Sequence, residues 1–466
     1  MDRLQRHLGV AAVTTLVIGE VIAIGIFLTP ATMARSVGSP LWLLLVWLIM
    51  GAMALSGALC YGALAARFPE AGGGYVYLRE AFGPLVAFLY GWKCLLVMDP
   101  GITAALAMGL AGYVGYALGW SGPVLKGVAI GVVVIMAGVS IAGLRLGAWL
   151  MQWLTALKLG ALALIAVLAL LLGAGSWSHF VPFVAQRAGS DPLPGALAPA
   201  LVGAFFAFGG WWEIAKLAGE ARDPARTVPR ALALGVAAIT VVYIVTSAVF
   251  LYLVPLERVT SGETFAAQAG EALFGPAGGR VFAAIVIVAV SGSLLALLMA
   301  LPRVYYAMAR DGVFFKAVAL VHPRFGTPTR AIAIQATLAT VLVLLGTFQQ
   351  ILSYFIFVTV AFLALTVVGL IVLRRREAKA GTATAYPTPG YPLTPALFLI
   401  LVVVLLFLLG AHDPMQAALG VSIVALGIPL YVLVFRRKLT RNRNLTDDLD
   451  SHDPAARGRR EASLGD

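Results

Sequence analysis

Two glycine-containing stretches lie in the middle of long apolar runs, where bare peptide groups could bind a ligand. The first stretch contains Ile22, Ala23, Ile24, Gly25 and Ile26, and the second contains Phe206, Ala207, Phe208, Gly209 and Gly210. Glycine disfavours a helix by about 1 kcal/mol relative to alanine, so each stretch predicts a helix break. Freed N–H groups suit a carboxylate, and freed carbonyl oxygens suit an ammonium. Both groups at one site would suit a zwitterionic α-amino acid.

Ionisable side chains in the apolar runs are the second group of candidates, because a charge in the bilayer costs at least a few kcal/mol. Glu20 precedes the first break by about one turn. Glu20 could carry a proton or pair with Lys158 during transport. The alternative is a structural ion pair with no role in transport. Lys158 is a candidate for proton coupling because the pKa of a buried lysine shifts readily; the alternative is that its ammonium reaches the cytoplasmic surface. Asp99 could contact a cationic substrate side chain or be hydrogen-bonded locally.

Three further charged residues in the apolar runs predict structural roles. Glu213 and Lys216 are three residues apart on one helix and predict a local ion pair. Lys93 is interpreted as structural.

The other reactive residue types predict no enzyme. Cys60 and Cys94 lie in apolar runs without disulfide or metal-ligand spacing. The five histidines lie outside these runs or at their ends, so we expect no metal and no cofactor. No nucleophile–base pair appears in the runs, so we expect no catalytic residue. A channel is disfavoured because no filter motif is present, whereas an amino acid sensor that moves nothing stays an alternative.

Helices that cross a membrane must position these candidates. Of the 466 residues, 61% are hydrophobic and 12% charged, against about 25% charged in soluble proteins. A helix needs about 20 apolar residues to cross the bilayer. The apolar runs predict twelve spans, at residues 10–34, 41–66, 84–118, 124–142, 152–174, 196–219, 229–254, 278–309, 330–347, 351–374, 393–410 and 416–436. The expected fold class is therefore an all-α integral membrane protein surrounded by the lipid bilayer.

The basic residues predict how these spans are oriented, since cytoplasmic loops are enriched in lysine and arginine. With the N-terminus inside, 25 of the 33 basic residues fall in cytoplasmic segments and 5 fall outside. This distribution predicts a multi-pass protein of the cell membrane with both termini in the cytoplasm. It also accounts for the net charge of +12 without nucleic acid, because no stacking aromatics accompany the basic clusters.

The two glycine breaks occupy matching positions if spans 1–5 and 6–10 form inverted repeats. An odd number of spans gives the two halves opposite topology, and interrupted helices at matching positions then mark a central site. The alternative is a helix–helix contact made by small residues. The predicted units are a cytoplasmic N-terminus (1–9), two repeats (10–174 and 196–374), a cytoplasmic linker (375–392), two extra spans (393–436) and a disordered cytoplasmic tail (437–466).

Several stretches resemble the amino acid–polyamine–organocation (APC) superfamily, in its L-type amino acid transporter branch. Gly25-Ile26-Phe27 is similar to the end of the Gly-Ser-Gly-Ile-Phe signature, with Ala23 and Ile24 in place of its first two residues. Further similar stretches follow in the family's order at residues 57–61, 67–73, 77–83, 206–211, 220–229, 303–312, 322–328 and 390–395.

The resemblance implies a five-plus-five inverted-repeat core, two extra spans and sodium-independent amino acid transport by alternating access, through exchange or proton coupling. Cationic amino acids or polyamines are the alternative substrates. The substrate carboxylate would meet the N–H groups of residues 23–26. The ammonium would meet the carbonyl oxygens of Ile22, Phe206, Ala207 and Gly209.

The resemblance also implies roles for individual side chains. Phe206 matches an aromatic residue that closes the site from outside. Lys158 matches a lysine that replaces a sodium ion and ties span five to the first span and to Ser291 or Ser293. The extracellular segments show no feature that indicates a partner subunit.

Overall fold

Long apolar helices make up most of the described chain. The computed structural model describes residues 8–22, 25–69, 72–143, 148–258, 265–301, 304–305, 308–309, 312–318, 320–381 and 388–436. The α-helices are α1 (Val10–Val21), α2 (Gly25–Val37), α3 (Pro40–Arg67), α4 (Gly74–Phe82), α5 (Pro84–Lys93), α6 (Asp99–Leu118), α7 (Pro123–Ile141), α8 (Ala148–Leu171), α9 (Leu193–Phe208), α10 (Pro224–Leu253), α11 (Phe265–Ala300), α12 (Thr329–Leu345), α13 (Phe348–Ala380), α14 (Leu393–His412), α15 (Pro414–Ala425) and α16 (Gly427–Leu430).

Shorter helical turns connect or extend these helices. The 3-10 turns are Trp177–Phe180, Glu213–Glu220 and Leu256–Arg258, and the π-helical turns are Cys94–Met98 and Tyr431–Arg436.

The described part of the chain contains ten helices that are long and apolar enough to cross a membrane. The pair α1 and α2, bent by 51° at its break, forms an eleventh candidate. Helix α12 lies at the predicted span 330–347 but has only 17 residues. The prediction of an all-helical, multi-pass membrane protein is confirmed at this level. The predicted disordered tail lies outside the described residues.

Two element boundaries differ from the predicted ones. Helix α11 includes an additional helical segment that begins at Phe265, and the non-helical Gly275 (φ 70°) separates this segment from the predicted eighth span. Helix α13 continues to Ala380, so the first residues of the predicted linker are helical. The segment Arg374–Ala380 consists of strong helix formers, and a left-handed glycine, Gly381 (φ 68°), ends the helix.

A proline creates an irregular turn in the middle of the third span. Pro100 has no N–H group, so the carbonyl of Leu96 lacks its usual helical donor. The hydroxyl of Tyr354 on α13 donates to that oxygen at 3.2 Å. The preceding residues form the π-helical turn Cys94–Met98, and such turns are frequent at functional sites. The third span is therefore bonded to α13 at Leu96.

The connection between α8 and α9 packs over the end of α2 and the end of α10. The backbone N–H of Arg187 donates to the carbonyl of Gly38 at 2.9 Å. The guanidinium of Arg187 pairs with Glu257 at 2.7 Å, and the N–H of Ser176 donates to the carbonyl of Tyr252. The hydrogen bond from Arg187 lowers the pKa of the Glu257 carboxyl below its usual value. One segment therefore joins the ends of both helices.

Candidate functional site

Both predicted glycine breaks interrupt their helices. Helix α1 ends at Val21, and Ile22 leaves the helical region (φ −75°, ψ 44°) before α2 begins at Gly25. Ala23 and Ile24 lie outside the described residues. Helix α9 ends at Phe208 and is followed by an extended Gly209 (ψ 144°). Gly210 has φ 108°, a conformation that side-chain-bearing residues rarely adopt.

The C-terminal half of the first span touches the backbone of the sixth span at its break. Helix α2 packs along α9, and a Cβ atom on Gly25 would lie 2.1 Å from the Cα atom of Ala207. Only glycine permits this approach, as in close helix contacts within membranes. The small-residue contact that the sequence left as an alternative is therefore present together with the breaks.

A tyrosine hydroxyl connects the backbone of the two interrupted helices. The Oη atom of Tyr243, on α10, lies 3.0 Å from the carbonyl oxygen of Val21 and 2.7 Å from that of Ala207. The ring is fully buried and packs against Trp47 and Phe208, with centroids 5.0 and 5.1 Å away. One hydroxyl proton is thus shared between carbonyl groups at both breaks.

A cavity of about 150 Å³ lies between the two breaks. The predicted substrate-binding residues Gly25, Phe206, Gly209 and Gly210 line it. The described residues Ile22, Ile26, Ala207 and Phe208 adjoin this lining without forming part of it. The breaks therefore border one shared space rather than two separate surfaces.

Lys158 carries a positive charge to the edge of this cavity. It is 2% exposed, and its Nζ atom donates to the hydroxyl of Ser293 on α11 at 3.0 Å. The other predicted partner, Ser291, instead donates its hydroxyl proton to the carbonyl of Ile287 and does not line the cavity. The structure thus brings Lys158 to Ser293 and away from Ser291.

Two acidic residues also line the cavity, one near each break. The charge of Glu20 attracts that of Lys158, and the Cγ atom of Glu20 would lie 3.2 Å from a Cβ atom on Gly210. Glu213 begins the 3-10 turn after the second break. The local ion pair predicted for it involves Lys216, whose side chain lies outside the described residues.

Aromatic rings enclose the cavity beside the second break. Phe206 meets Phe348 and Phe355 edge to face, with ring centroids 6.1 and 6.2 Å apart. Edge-to-face packing of this kind adds about 0.5–1.5 kcal/mol beyond the burial of area. Phe206 and Phe355 also line the cavity, so this wall is apolar and closed by interlocking rings.

Asp99 and Lys93 are buried behind the cavity wall. The carboxylate of Asp99 accepts a hydrogen bond from the hydroxyl of Tyr305. The ammonium of Lys93 lies 3.0 Å from the sulfur of Met98 and 4.8 Å from the ring centre of Tyr90. Neither residue lines the cavity. Within the described ranges, no group of three or more His, Cys, Asp or Glu residues could hold a metal ion.

Reasoning from the sequence missed the role of Tyr243 and the position of Glu213. The available signal for Tyr243 was a phenolic hydroxyl in the middle of an apolar span, which usually finds a hydrogen-bond partner when buried. Its partners are backbone carbonyls at breaks far away in the sequence. For Glu213, the short spacing to Lys216 favoured the prediction of a local ion pair over the prediction of a position in the cavity lining.

Comparison with known proteins agrees with this geometry. A family model described as amino acid permease matches residues 8–435. The chain is 31% identical over 441 residues to the serine/threonine exchanger SteT of Bacillus subtilis (strain 168), covering 93% of this chain and 98% of that protein.

Two mammalian proteins are also similar. The chain is 30% identical to the b(0,+)-type amino acid transporter 1 of Oryctolagus cuniculus, covering 80% of this chain and 76% of that protein. It is 28% identical to the Asc-type amino acid transporter 1 of Mus musculus, covering 92% and 81%. These proteins are transporters and not enzymes, as predicted for this chain. The chain belongs to the amino acid permease family of the APC superfamily and is an amino acid transporter.

Proposed function

We propose that this chain carries a zwitterionic amino acid by holding its α-amino and α-carboxyl groups on the backbone of the two interrupted spans. The observation that carries the proposal is the single cavity bordered by both breaks. Within a membrane, irregular backbone is tolerated where it lines a cavity or is buried in protein. Interrupted helices that meet at one space are the arrangement in which transporters hold their substrates.

The α-carboxylate would bind the N–H groups at the start of α2, around residues 23–26. The positive end of a helix favours an anion there. The α-ammonium would bind carbonyl oxygens of Ile22, Phe206, Ala207 and Gly209. The oxygen of Phe206 already accepts from the N–H of Gly209 at 3.1 Å, and that of Ala207 accepts from Tyr243. Each carbonyl oxygen has a second lone pair for the ligand.

We further propose that Lys158 replaces a coupling cation. Its buried ammonium is bonded to Ser293 and is attracted by Glu20, so a fixed charge lies where the two repeats would meet. Transport would then be independent of sodium, and would proceed by exchange or with a proton. Proton coupling would use Lys158 and Glu20, since both line the cavity.

The proposed architecture has twelve spans in the cell membrane, with both termini in the cytoplasm. Counting the bent pair α1 and α2 as one span and adding α12 to the ten long helices supports this number. The proposed units are two inverted repeats at residues 10–174 and 196–374, with two extra spans at 393–436 after a cytoplasmic linker. In this topology Phe206 would close the cavity from outside, which its packing on Phe348 and Phe355 supports.

Uptake by liposomes that contain the purified chain tests this function. A panel of labelled amino acids would be offered with sodium or choline outside, with and without internal amino acid, and with and without a proton gradient. We expect uptake that is unaffected by sodium and stimulated by internal substrate or by the proton gradient. Saturable binding without uptake would instead favour a sensor. Uptake that requires sodium would contradict the role of Lys158.

A further inference from the structure

Helices other than those that contain the breaks form the rest of the cavity lining, and the chemistry of this part differs from that of the breaks. It is formed by α6, α11, α13 and the last residue of the π-helical turn, and its main members are Met98, Ile102, Leu106, Ala296, Leu297 and Phe355. We call this the side-chain wall. If the breaks hold the α-groups of the substrate, as in the proposed function on which this inference rests, the substrate side chain must face this wall.

Small residues on one face of α11 create the space beside the side-chain wall. Ala296 and Ala300 line the cavity four residues apart, with Leu297 and Leu301 beside them. Residues three and four apart share one face of a helix. Because alanine ends at its β-carbon, these two positions leave room between α11 and the apolar residues of α6. Ala300 is exposed although it lines the cavity, so the space is accessible to solvent at this end.

The hydroxyl groups of the side-chain wall are engaged within the protein. Ser293 accepts a hydrogen bond from Lys158 at 3.0 Å and donates to the carbonyl of Ala289 at 3.3 Å. Thr359 donates to the carbonyl of Phe355 at 2.7 Å. A polar substrate side chain would lose its water here while meeting hydroxyl groups whose protons are already donated. Such a group is costly to bury without a full set of hydrogen bonds.

No charged residue belongs to the side-chain wall among the described residues that line the cavity. Glu20, Lys158 and Glu213 lie on α1, α8 and the turn after the second break. Asp99, the acid that could select a cationic side chain, accepts from Tyr305 behind Met98 and does not line the cavity. A cationic side chain in this space would therefore have no counter-charge on the wall that it faces.

We infer that this transporter selects neutral amino acids with aliphatic side chains, such as leucine, isoleucine and methionine. Ala296 and Ala300 set the size of the side chain, and Ile102, Leu106 and Leu297 set its polarity. Each methylene group buried against this wall raises the affinity by about fourfold. Leucine therefore binds at least tenfold more tightly than serine, and lysine binds more weakly than either.

Competition for uptake into liposomes tests the selection. Labelled leucine would be offered to the purified full chain together with unlabelled isoleucine, methionine, alanine, serine or lysine. We expect inhibition constants for isoleucine and methionine at least tenfold below that of serine, and little inhibition by lysine. If serine or lysine inhibits more strongly than isoleucine, the inference is wrong while the proposed function stands. If no amino acid of the labelled panel is taken up, the proposed function itself fails.

One substitution tests the role of α11. Ala296→Leu fills the space in front of the wall, so leucine affinity should fall at least tenfold while alanine affinity changes less than threefold. The matched control is Ala284→Leu, because Ala284 lies on the same helix but is exposed and away from the cavity. It should leave both affinities unchanged. If Ala296→Leu lowers the affinities for alanine and leucine equally, Ala296 does not set the size of the bound side chain. The competition panel on the unmodified chain tests the selection even if this variant does not fold.

Discussion

Gly25 and Ala207 are in closer contact than any side-chain-bearing residue at position 25 would allow, with 2.1 Å between the position of a Cβ on Gly25 and the Cα of Ala207. The contact joins the start of α2 to the last turn of α9, so it fixes the two breaks at one place. The same glycine lines the cavity. The packing of α2 on α9 and the access of a ligand to the backbone therefore both depend on the absence of a side chain at Gly25.

Gly25→Ala is expected to abolish uptake, because its methyl group must push α2 away from α9 and deform both breaks. Overpacking at a buried contact costs about 1–3 kcal/mol, so the thermal unfolding temperature in detergent should also fall. Gly138→Ala is the matched control, since a Cβ there meets nothing within 4 Å. Normal uptake by Gly25→Ala would show that the close approach is dispensable.

Tyr243→Phe keeps the buried ring and removes the hydroxyl that bonds the carbonyl groups of Val21 and Ala207. Two carbonyl groups then lose a donor, which should lower the stability by about 1–3 kcal/mol and reduce the maximal rate of uptake at least tenfold. The control Tyr354→Phe removes a hydroxyl that bonds Leu96 instead. It should lower the thermal unfolding temperature with little effect on uptake. A Tyr243→Phe transporter as fast as the unmodified chain would exclude a role for this hydroxyl.

Lys158→Met should stop exchange of internal for external amino acid, because it removes the only basic charge among the described residues that line the cavity. Ser293→Ala should slow exchange to a smaller extent, since it removes the hydroxyl that accepts from Lys158. Ser291→Ala should exchange at the normal rate, because that hydroxyl bonds Ile287 within its own helix. Exchange rates for the three variants in liposomes check this order, and a larger effect of Ser291→Ala than of Ser293→Ala would reverse the assignment.

The ion pair between Arg187 and Glu257 predicts a pH dependence of stability. Its hydrogen bond lowers the pKa of Glu257 in the folded protein, so the stabilisation is present above the unfolded pKa of about 4.3 and is lost as the pH falls through the folded value. The Glu257 side chain is 61% exposed, which limits the effect to about 1 kcal/mol or less.

Thermal unfolding in detergent checks this pair through a double-mutant cycle. Glu257→Gln, Arg187→Gln and the double variant should reveal a coupling at pH 7 that weakens at pH 4 and below. A coupling that grows as the pH falls would contradict the direction assigned to the carboxyl.

The sequence predicted the spans well where local composition decides them. Apolar runs of about 20 residues fit a helix in lipid whatever they pack against, so ten long helices appear near their predicted positions. A boundary differed where a neighbouring polar segment continued a helix, at Ala380. There local helix formation, rather than hydropathy, decides the end.

Glycine content and apolar length were enough to predict two interrupted helices, because backbone preferences are local and are encoded residue by residue. The partners across the cavity depend on contacts between residues far apart in the chain. Three such features follow from how whole helices rotate and pack. Lys158 bonds Ser293 rather than Ser291, the hydroxyl of Tyr243 lies between the two breaks, and Asp99 does not line the cavity. Tertiary structure alone decides these, since a shift of one residue along a helix turns a side chain by about 100°.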